Sequence, residues 1–186
     1  MNFLNLSFYN GITRFVITIP CLGWAIKIAK INPLQAIKTV IWNAETAIQG
    51  GDAGEFGRLM GYTDAVWHSV RWQFRGIYCN LREHRFYKKS RNPFLWPTIF
   101  SFFGLINIQP LAKRQPEETA DFKLWRFVLK VSENQAWEDN HTFCEEDNYA
   151  IDEQGHLRIL DYGSIRSQKM ISVYGPALYA QSRQLF

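Results

Sequence analysis

Apolar and polar residues alternate near the start of the chain in a pattern typical of β-structure. Residues 14–31 contain two β-rich runs, RFVITI and WAIKIA, separated by Pro20-Cys21-Leu22-Gly23. β-Branched and aromatic residues favour extended strands, and Pro and Gly between such runs favour a tight turn. The pattern predicts an antiparallel hairpin.

The next sixty residues change to a helical period. After Asn32-Pro33, apolar residues recur at helical spacing until Gly50-Gly51: Leu34, Ile37, Ile41, Ala44 and Ile48. Residues 52–91 are interrupted by glycines at first and then carry a second apolar stripe: Val66, Trp67, Val70, Phe74 and Ile77. The two stripes predict two helices, with a boundary at Asn92-Pro93.

The second half of the chain returns to strands and then alternates again. The run from Phe94 to Leu111 predicts two short buried strands around Gly104. From Glu117 a helix is predicted by the spacing of Phe122, Trp125 and Leu129.

A second hairpin follows, and then one more element. Its strands are predicted at 149–151 and 157–160, joined by the turn Asp152-Glu153-Gln154-Gly155, and one short helix is predicted within 165–186. The order of strands, helix, strands, helix and hairpin predicts an α+β fold.

Composition limits the class of protein, and charged residues are unevenly distributed along the chain. With 186 residues, 47% apolar and 20% charged, the sequence is typical of one globular domain and excludes a disordered protein. Residues 1–115 carry 14 basic and five acidic side chains, whereas residues 116–161 carry four basic and 12 acidic. The last 25 residues carry three basic and no acidic side chains, so the net charge of +4 is the sum of a basic half, an acidic segment and a basic end.

Cysteine usage and hydropathy bear on the compartment. The three cysteines, Cys21, Cys79 and Cys144, are odd in number and lack the CxxC spacing of a zinc site. Membrane association is not expected, because the longest apolar run, Phe94–Leu111, is interrupted by prolines and polar residues. A cytoplasmic location is the expectation.

Several separated motifs occur in a meaningful order. Trp24-Ala25-Ile26-Lys27 closes the first hairpin, and Glu45 lies on the helix predicted next, with Glu55 as an alternative. His141 precedes Asn148 by seven residues, and Asp161-Tyr162-Gly163 follows the second hairpin. This series resembles the protein kinases, whose strand lysine pairs with a helix glutamate and whose catalytic loop H-R-D-x-x-x-x-N precedes D-F-G.

The resemblance implies a two-lobed fold and a nucleotide site. It places a small antiparallel sheet with a helix in an N-lobe at about 1–112, with a basic, aromatic helical insert near 52–92, and a truncated C-lobe at about 113–186. It also implies that Lys27 and Glu45 bind ATP, while Asn148 and Asp161 hold Mg²⁺, which prefers oxygen ligands.

Departures from the kinase pattern change the expected activity. Phe143 stands where the family has its catalytic aspartate, Glu145 stands at the usual lysine position, and no GxGxxG precedes Lys27. A phenyl ring cannot accept a proton from an alcohol, so the usual transfer mechanism is not available from that position.

Three functions remain open from the sequence. The favoured one is a pseudokinase that binds ATP and Mg²⁺ and acts by contacting a host or cellular protein. An active, unorthodox phosphotransferase or nucleotidyl transferase is the alternative, with Asp139 or Glu146 replacing the lost aspartate.

The third function uses the segment 71–91. It has seven basic residues and one acidic residue among its aromatics. Such a mixture can bind nucleic acid or an acidic protein, here through Arg82, Arg85, Lys88 and Lys89. A solvated helix face with inward-facing aromatics is the simpler interpretation of the same pattern.

Overall fold

The protein has an α+β fold that contains a five-stranded antiparallel sheet and several helices. A computed structural model describes residues 6–31, 71–116 and 121–185, together with isolated positions between 33 and 41. The strands are β1 (Ser7–Asn10), β2 (Arg14–Ile19), β3 (Trp24–Ala29), β4 (Phe100–Phe102), β5 (Ile106–Pro110), β6 (Tyr149–Ile151) and β7 (Leu157–Ile159). The α-helices with described ends are α1 (Arg75–Ser90), α2 (Asp121–Val131), α3 (Asn140–Phe143) and α4 (Ile165–Ser182).

The large sheet is antiparallel throughout, with the strand order β1-β2-β3-β5-β4. The predicted hairpin is confirmed as β2 and β3, in which Val16 lies opposite Lys27. Its connection is a single 3-10 turn over Pro20–Leu22 that ends at Gly23 with φ of 65°. Glycine adopts this left-handed conformation without the steric cost of a side chain.

The two faces of the sheet differ in chemistry. One face buries Arg14, Lys27, Asn107 and Gln109, whose side chains share it because they alternate along the paired strands. The opposite face presents apolar side chains, several of them exposed: Phe15, Trp24, Phe100 and Phe102. The two strands predicted around Gly104 are confirmed, but β4 is half exposed rather than buried, since it forms the sheet edge.

Helix α1 covers the polar face of the sheet. It packs against β3, β4 and β5, and its buried residues are Gly76, Asn80 and Glu83. Intervals of four and three residues place these on one side of the helix. The helix lies within the segment interpreted from sequence as a basic, aromatic insert, and its buried side contacts the strand that carries Lys27.

The main apolar core lies in the second half of the chain. The predicted hairpin is confirmed as β6 and β7, and β7 meets the segment before β4 through a bridge between Leu95 and Ile159. The fully buried side chains of this core include Phe94, Leu95, Phe143, Tyr149, Leu157, Ile159, Ile171 and Leu178.

Two helices complete this core. Helix α2 is confirmed, and Trp125 and Leu129 of the predicted stripe pack against the core while partly buried. Its fully buried residues are Leu124 and Val128, and the prediction was wrong for Phe122, which is 69% exposed. The predicted C-terminal helix is confirmed and is longer than expected, with 18 residues and Pro176 inside it. It continues past the proline because it packs against α2 and β7. No helix in the described part of the chain combines the length and apolarity needed to cross a membrane.

Candidate functional site

Lys27 is a buried lysine on the polar face of the sheet. The alternation of β3 directs it inward, where the residue is only 6% exposed. Its Nζ donates to the backbone oxygen of Leu160 at 2.7 Å and lies 3.3 Å from Oε2 of Glu83. The strand lysine is therefore in contact both with helix α1 and with the residue immediately before Asp161.

Glu83 is the buried carboxylate that Lys27 contacts. It has no exposed surface and lies one turn beyond Asn80, whose side chain donates to the Gly104 backbone oxygen at 2.9 Å. Glu45, predicted as the partner of Lys27, lies outside the described residues. Sequence reasoning missed Glu83, although one signal was present: it is the single acidic residue among seven basic ones in 71–91.

Arg14 joins the two carboxylates of the site. Its guanidinium donates to both Glu83 and Asp161, and also to the side-chain oxygen of Asn80 at 3.2 Å. Burial disfavours the charge, but the attraction of Asp161 and Glu83 outweighs it and raises the pKa of Arg14 above its ordinary value. Arg14 was not predicted as a site residue.

Asp161 follows the second hairpin and is the most accessible member of the group. Its side chain is 41% exposed, whereas those of Arg14 and Lys27 are each 8% exposed. Burial opposes ionisation of Asp161, but attraction to Arg14 and Lys27 prevails and holds its pKa well below the ordinary value. This carboxylate is therefore charged at any physiological pH, and solvent can reach part of it.

The pKa of Lys27 is also lowered, but for a lysine this change disfavours the charged form. Burial lowers the pKa of Lys27, and the nearby charge of Arg14 lowers it further, while Glu83 acts against both. With two cations and two carboxylates, the network formed by Arg14, Lys27, Glu83 and Asp161 is neutral as a whole. An added anion would therefore be attracted by the cations only if it displaced a carboxylate or arrived with its own cation.

Two glycines allow the elements that carry this network to approach closely. A Cβ atom at Gly76 would lie 2.4 Å from the Thr13 backbone oxygen, and one at Gly163 would lie 2.8 Å from Cβ of Cys79. The first contact brings α1 against the residue that precedes β2, and the second brings the Asp161-Tyr162-Gly163 segment against α1. Larger residues at these positions would separate Glu83 from Arg14 and Asp161.

Asn148 lies close to Asp161 along the hairpin. It ends the 3-10 turn Glu146–Asn148, and its backbone oxygen accepts from the Leu160 amide at 2.7 Å. Its side-chain nitrogen donates to the Thr142 backbone oxygen at 3.0 Å. The hairpin thus brings Asn148 beside the residue that precedes Asp161, as expected for the start and end of one hairpin.

The segment from Asp139 to Phe143 is occupied by packing and internal contacts. Phe143 is fully buried in the apolar core, and its backbone oxygen accepts from the Tyr149 hydroxyl at 2.8 Å. Asp139 is 4% exposed, accepts a hydrogen bond from Ser167 and lies 2.9 Å from Nδ1 of His141. Glu146, the other candidate base, is half-buried in the 3-10 turn.

The predicted partner-binding cations lie on the solvent side of α1. Arg85, Lys88 and Lys89 are exposed, and Arg82 is half-buried. None of them is among the buried residues of the helix, which include Asn80 and Glu83, so the two sets of residues do not share a site.

The side chains near Asp161 limit how a metal ion could be bound. Among the described residues, no group of three or more His, Cys, Asp or Glu side chains could hold a metal ion. A magnesium ion at Asp161 would need further oxygen ligands, and nucleotide phosphates commonly supply these.

Comparisons with known proteins leave the chain without a match. No family model matches the sequence, and no curated protein or solved structure matches it either. Its function is therefore inferred from its own residues.

Proposed function

We propose that the protein is a degenerate, two-lobed protein-kinase-like molecule that binds ATP with Mg²⁺, does not transfer phosphate, and acts by binding a protein partner. The observation that carries this proposal is the contact between Lys27 and Glu83 beside Asp161. In kinases a strand lysine pairs with a helix glutamate, and both must be in place with the metal-binding aspartate.

The contact supports a phosphate-binding role for Lys27. Glu83 and the Leu160 backbone oxygen hold its ammonium group from two elements, so its position is defined before any ligand arrives. A buried, positioned cation is more useful to a phosphate than a surface lysine, because the low dielectric strengthens the attraction. Glu83 takes the role that the sequence assigned to Glu45.

Asp161 is suited to bind the cation that accompanies the nucleotide. It is ionised and 41% exposed on its side chain, whereas the other carboxylate, Glu83, is fully enclosed. The amide oxygen of Asn148 would be the second protein ligand, and the phosphates would complete the set. When bound, Mg²⁺ neutralises phosphate charge, and Arg14 would yield part of its contact with Asp161 to it.

The absence of transfer follows from the catalytic-loop segment. A general base must reach the hydroxyl whose proton it removes. Phe143 is instead committed to the core, and Asp139 is buried against Ser167 and His141. The alternative of an active transferase would rest on Glu146, and it predicts label transfer from γ- or α-labelled ATP to protein or a small molecule.

The exposed cations of α1 favour an acidic protein as the partner. Arg85, Lys88 and Lys89 are exposed and give the C-terminal half of α1 a positive surface. Charge complementarity of this kind accelerates association and selects partners.

A thermal-shift titration with a non-hydrolysable ATP analogue and Mg²⁺ tests the nucleotide site. Ligand at one hundred times its dissociation constant stabilises a protein by about 2.7 kcal/mol. For a chain of this size, ~1 kcal/mol moves the melting temperature by about 2–4 °C. We expect a rise of several degrees in the native protein, and a much smaller rise without Mg²⁺.

Variants separate this site from general electrostatic binding. Asp161→Asn should abolish the ligand-induced rise measured from its own baseline, and Lys27→Met should reduce it strongly. Asp147→Asn is the matched control, because that aspartate is exposed in the same hairpin region. No rise in the native protein at millimolar ligand, or an equal rise in Asp161→Asn, would refute the nucleotide site.

A further inference from the structure

A cavity of about 290 Å³ lies at the C-terminal end of α1, and none of the residues that line it belongs to the Lys27 network. One wall is made by the helix residues His84, Tyr87, Lys88 and Arg91, and the other by Pro97, Thr98 and Ile99. Its volume is near the lower limit for small-molecule sites.

The charged side of the cavity favours an anion. His84, Lys88 and Arg91 line it together, and the described lining residues include no carboxylate. The negative end of the α1 dipole would weaken anion binding at this position, so any such binding must depend on these side chains. Nδ1 of His84 is buried without a hydrogen-bond partner among the described residues.

The apolar side of the cavity favours a ligand with a carbon body. Tyr87, Pro97 and Ile99 contribute ring and aliphatic surface beside the cations. Small-ligand sites commonly combine such surface with a few polar groups that fix orientation. The combination fits an anionic group on an aromatic or aliphatic stem better than a free inorganic ion.

The walls are held in place by contacts outside the cavity. The Arg91 amide donates to the Tyr87 backbone oxygen at 3.0 Å, and the Ile99 amide donates to that of Ile108 at 2.9 Å. The hydroxyl of Thr98 is 2.7 Å from that of Tyr162 and accepts from Gln109 at 3.0 Å. The segment Pro97–Ile99 is thus fixed to β5 and to Tyr162, and the Arg91 backbone is fixed to the end of α1, so binding would require little rearrangement of either wall.

We propose that this cavity is a second binding site, one that takes a phosphate monoester carried on an aromatic or aliphatic stem. A phosphate monoester has about −1.5 to −2 charge at pH 7 and three acceptor oxygens, more than a carboxylate offers to Lys88 and Arg91. The shared chemistry admits two sources, a phosphorylated side chain of a protein or a nucleoside monophosphate. The site is separate from the proposed nucleotide site at Lys27.

Calorimetric titration of the whole chain with phenyl phosphate tests this site. We expect the double variant Lys88→Gln with Arg91→Gln to bind phenyl phosphate at least tenfold more weakly. The matched control is Arg85→Gln with Lys89→Gln, which removes the same charge from exposed positions of α1 that do not line the cavity. It should change the affinity less than twofold, and Lys27→Met should retain it.

Two further titrations identify the source. Tighter binding of an uncharged peptide with one phosphotyrosine than of AMP assigns the site to a phosphorylated protein, and the reverse order assigns it to a nucleotide. Absence of binding by all three phosphate compounds at millimolar concentration would overturn the proposal. Equal weakening in the two double variants would also overturn it, because it would indicate attraction by surface charge alone.

Discussion

The buried interior of this protein consists of two unlike regions. Around β6, β7 and α4 the buried side chains are apolar, among them Phe143, Tyr149, Ile159 and Leu178. Between the large sheet and α1 they are charged or polar, among them Arg14, Lys27, Asn80, Glu83 and Asn107. The apolar core stabilises the chain through burial.

The charged region is costly to bury and therefore calls for another explanation. The free-energy cost of removing charges from water is offset only if their partners are well placed. Proteins in which apolar residues replace a buried ion pair are often as stable or more stable. A protein that needed only stability would not require Arg14, Lys27 and Glu83 at the centre of its sheet. Under the proposed function, the apolar region maintains the fold, while the charged region is retained to bind the nucleotide.

The largest expected effect is in the apolar core. Phe143→Ala should destabilise the protein by about 3–5 kcal/mol, because it leaves a cavity where a fully buried ring packs. Urea unfolding followed by circular dichroism measures this change. Phe122→Ala is the control, since Phe122 is 69% exposed and its loss should cost less than about 0.5 kcal/mol. Equal effects of the two changes would contradict the location of the core.

A smaller loss is expected when one charge of the network is removed. Glu83→Gln should lower the free energy of unfolding by about 3 kcal/mol, near the low end for breaking a buried pair, because glutamine keeps some hydrogen bonds. The cause is that Arg14 and Lys27 stay buried with only Asp161 as a countercharge. Glu138→Gln, at an exposed position, should leave unfolding almost unchanged.

Removing the three enclosed charges of the network distinguishes stability from function. The triple variant Arg14→Met, Lys27→Met and Glu83→Met should recover most of the stability lost in Glu83→Gln, because the one charge then left without a partner is that of Asp161, whose side chain is 41% exposed. It should not recover the thermal shift with nucleotide and Mg²⁺. Recovery of neither property would mean that the charges serve the fold after all.

The sequence predicted local features of both regions well. Strand alternation and turn residues identified the hairpins β2–β3 and β6–β7, because both signals lie within a few neighbouring residues. The same local patterns predicted Lys27 and Asp161 as site residues. The α+β class followed from the order of these elements.

The members that were missed depend on distant contacts. Arg14 is 147 residues from Asp161 in the sequence, so nothing near the start of β2 showed that its charge would be buried. From the sequence alone, Glu83 resembles a solvated residue of a basic helix. Only the packing of α1 against β3 shows that it is buried. A single carboxylate in a strongly basic segment was the available clue, and periodicity gave no reason to prefer it over Glu45.

The smallest expected effect concerns a third kind of charge, in the turn between β6 and β7. Asp152 accepts from Arg158 Nε at 2.8 Å and from the Tyr179 hydroxyl at 2.9 Å, which ties the turn to α4. Asp152→Asn should cost about 1–2 kcal/mol, because it weakens hydrogen bonds to a charged group while the turn geometry is kept. Glu153→Gln is the neighbouring control, since its ion pair with Lys113 is exposed and should contribute almost nothing.

The pH dependence of the stability difference between the native protein and Asp152→Asn tests whether that difference arises from charge. Burial opposes ionisation of Asp152, but hydrogen bonds from Arg158, His156 and Tyr179 lower its pKa below the ordinary value. The stabilisation is therefore complete above the unfolded-state pKa of about 4 and is lost as pH falls through the lower folded-state value. Urea unfolding should show native protein and Asp152→Asn differing at pH 7 and converging in strong acid. A difference that persists unchanged in acid would show that Asp152 acts through turn geometry rather than through its charge.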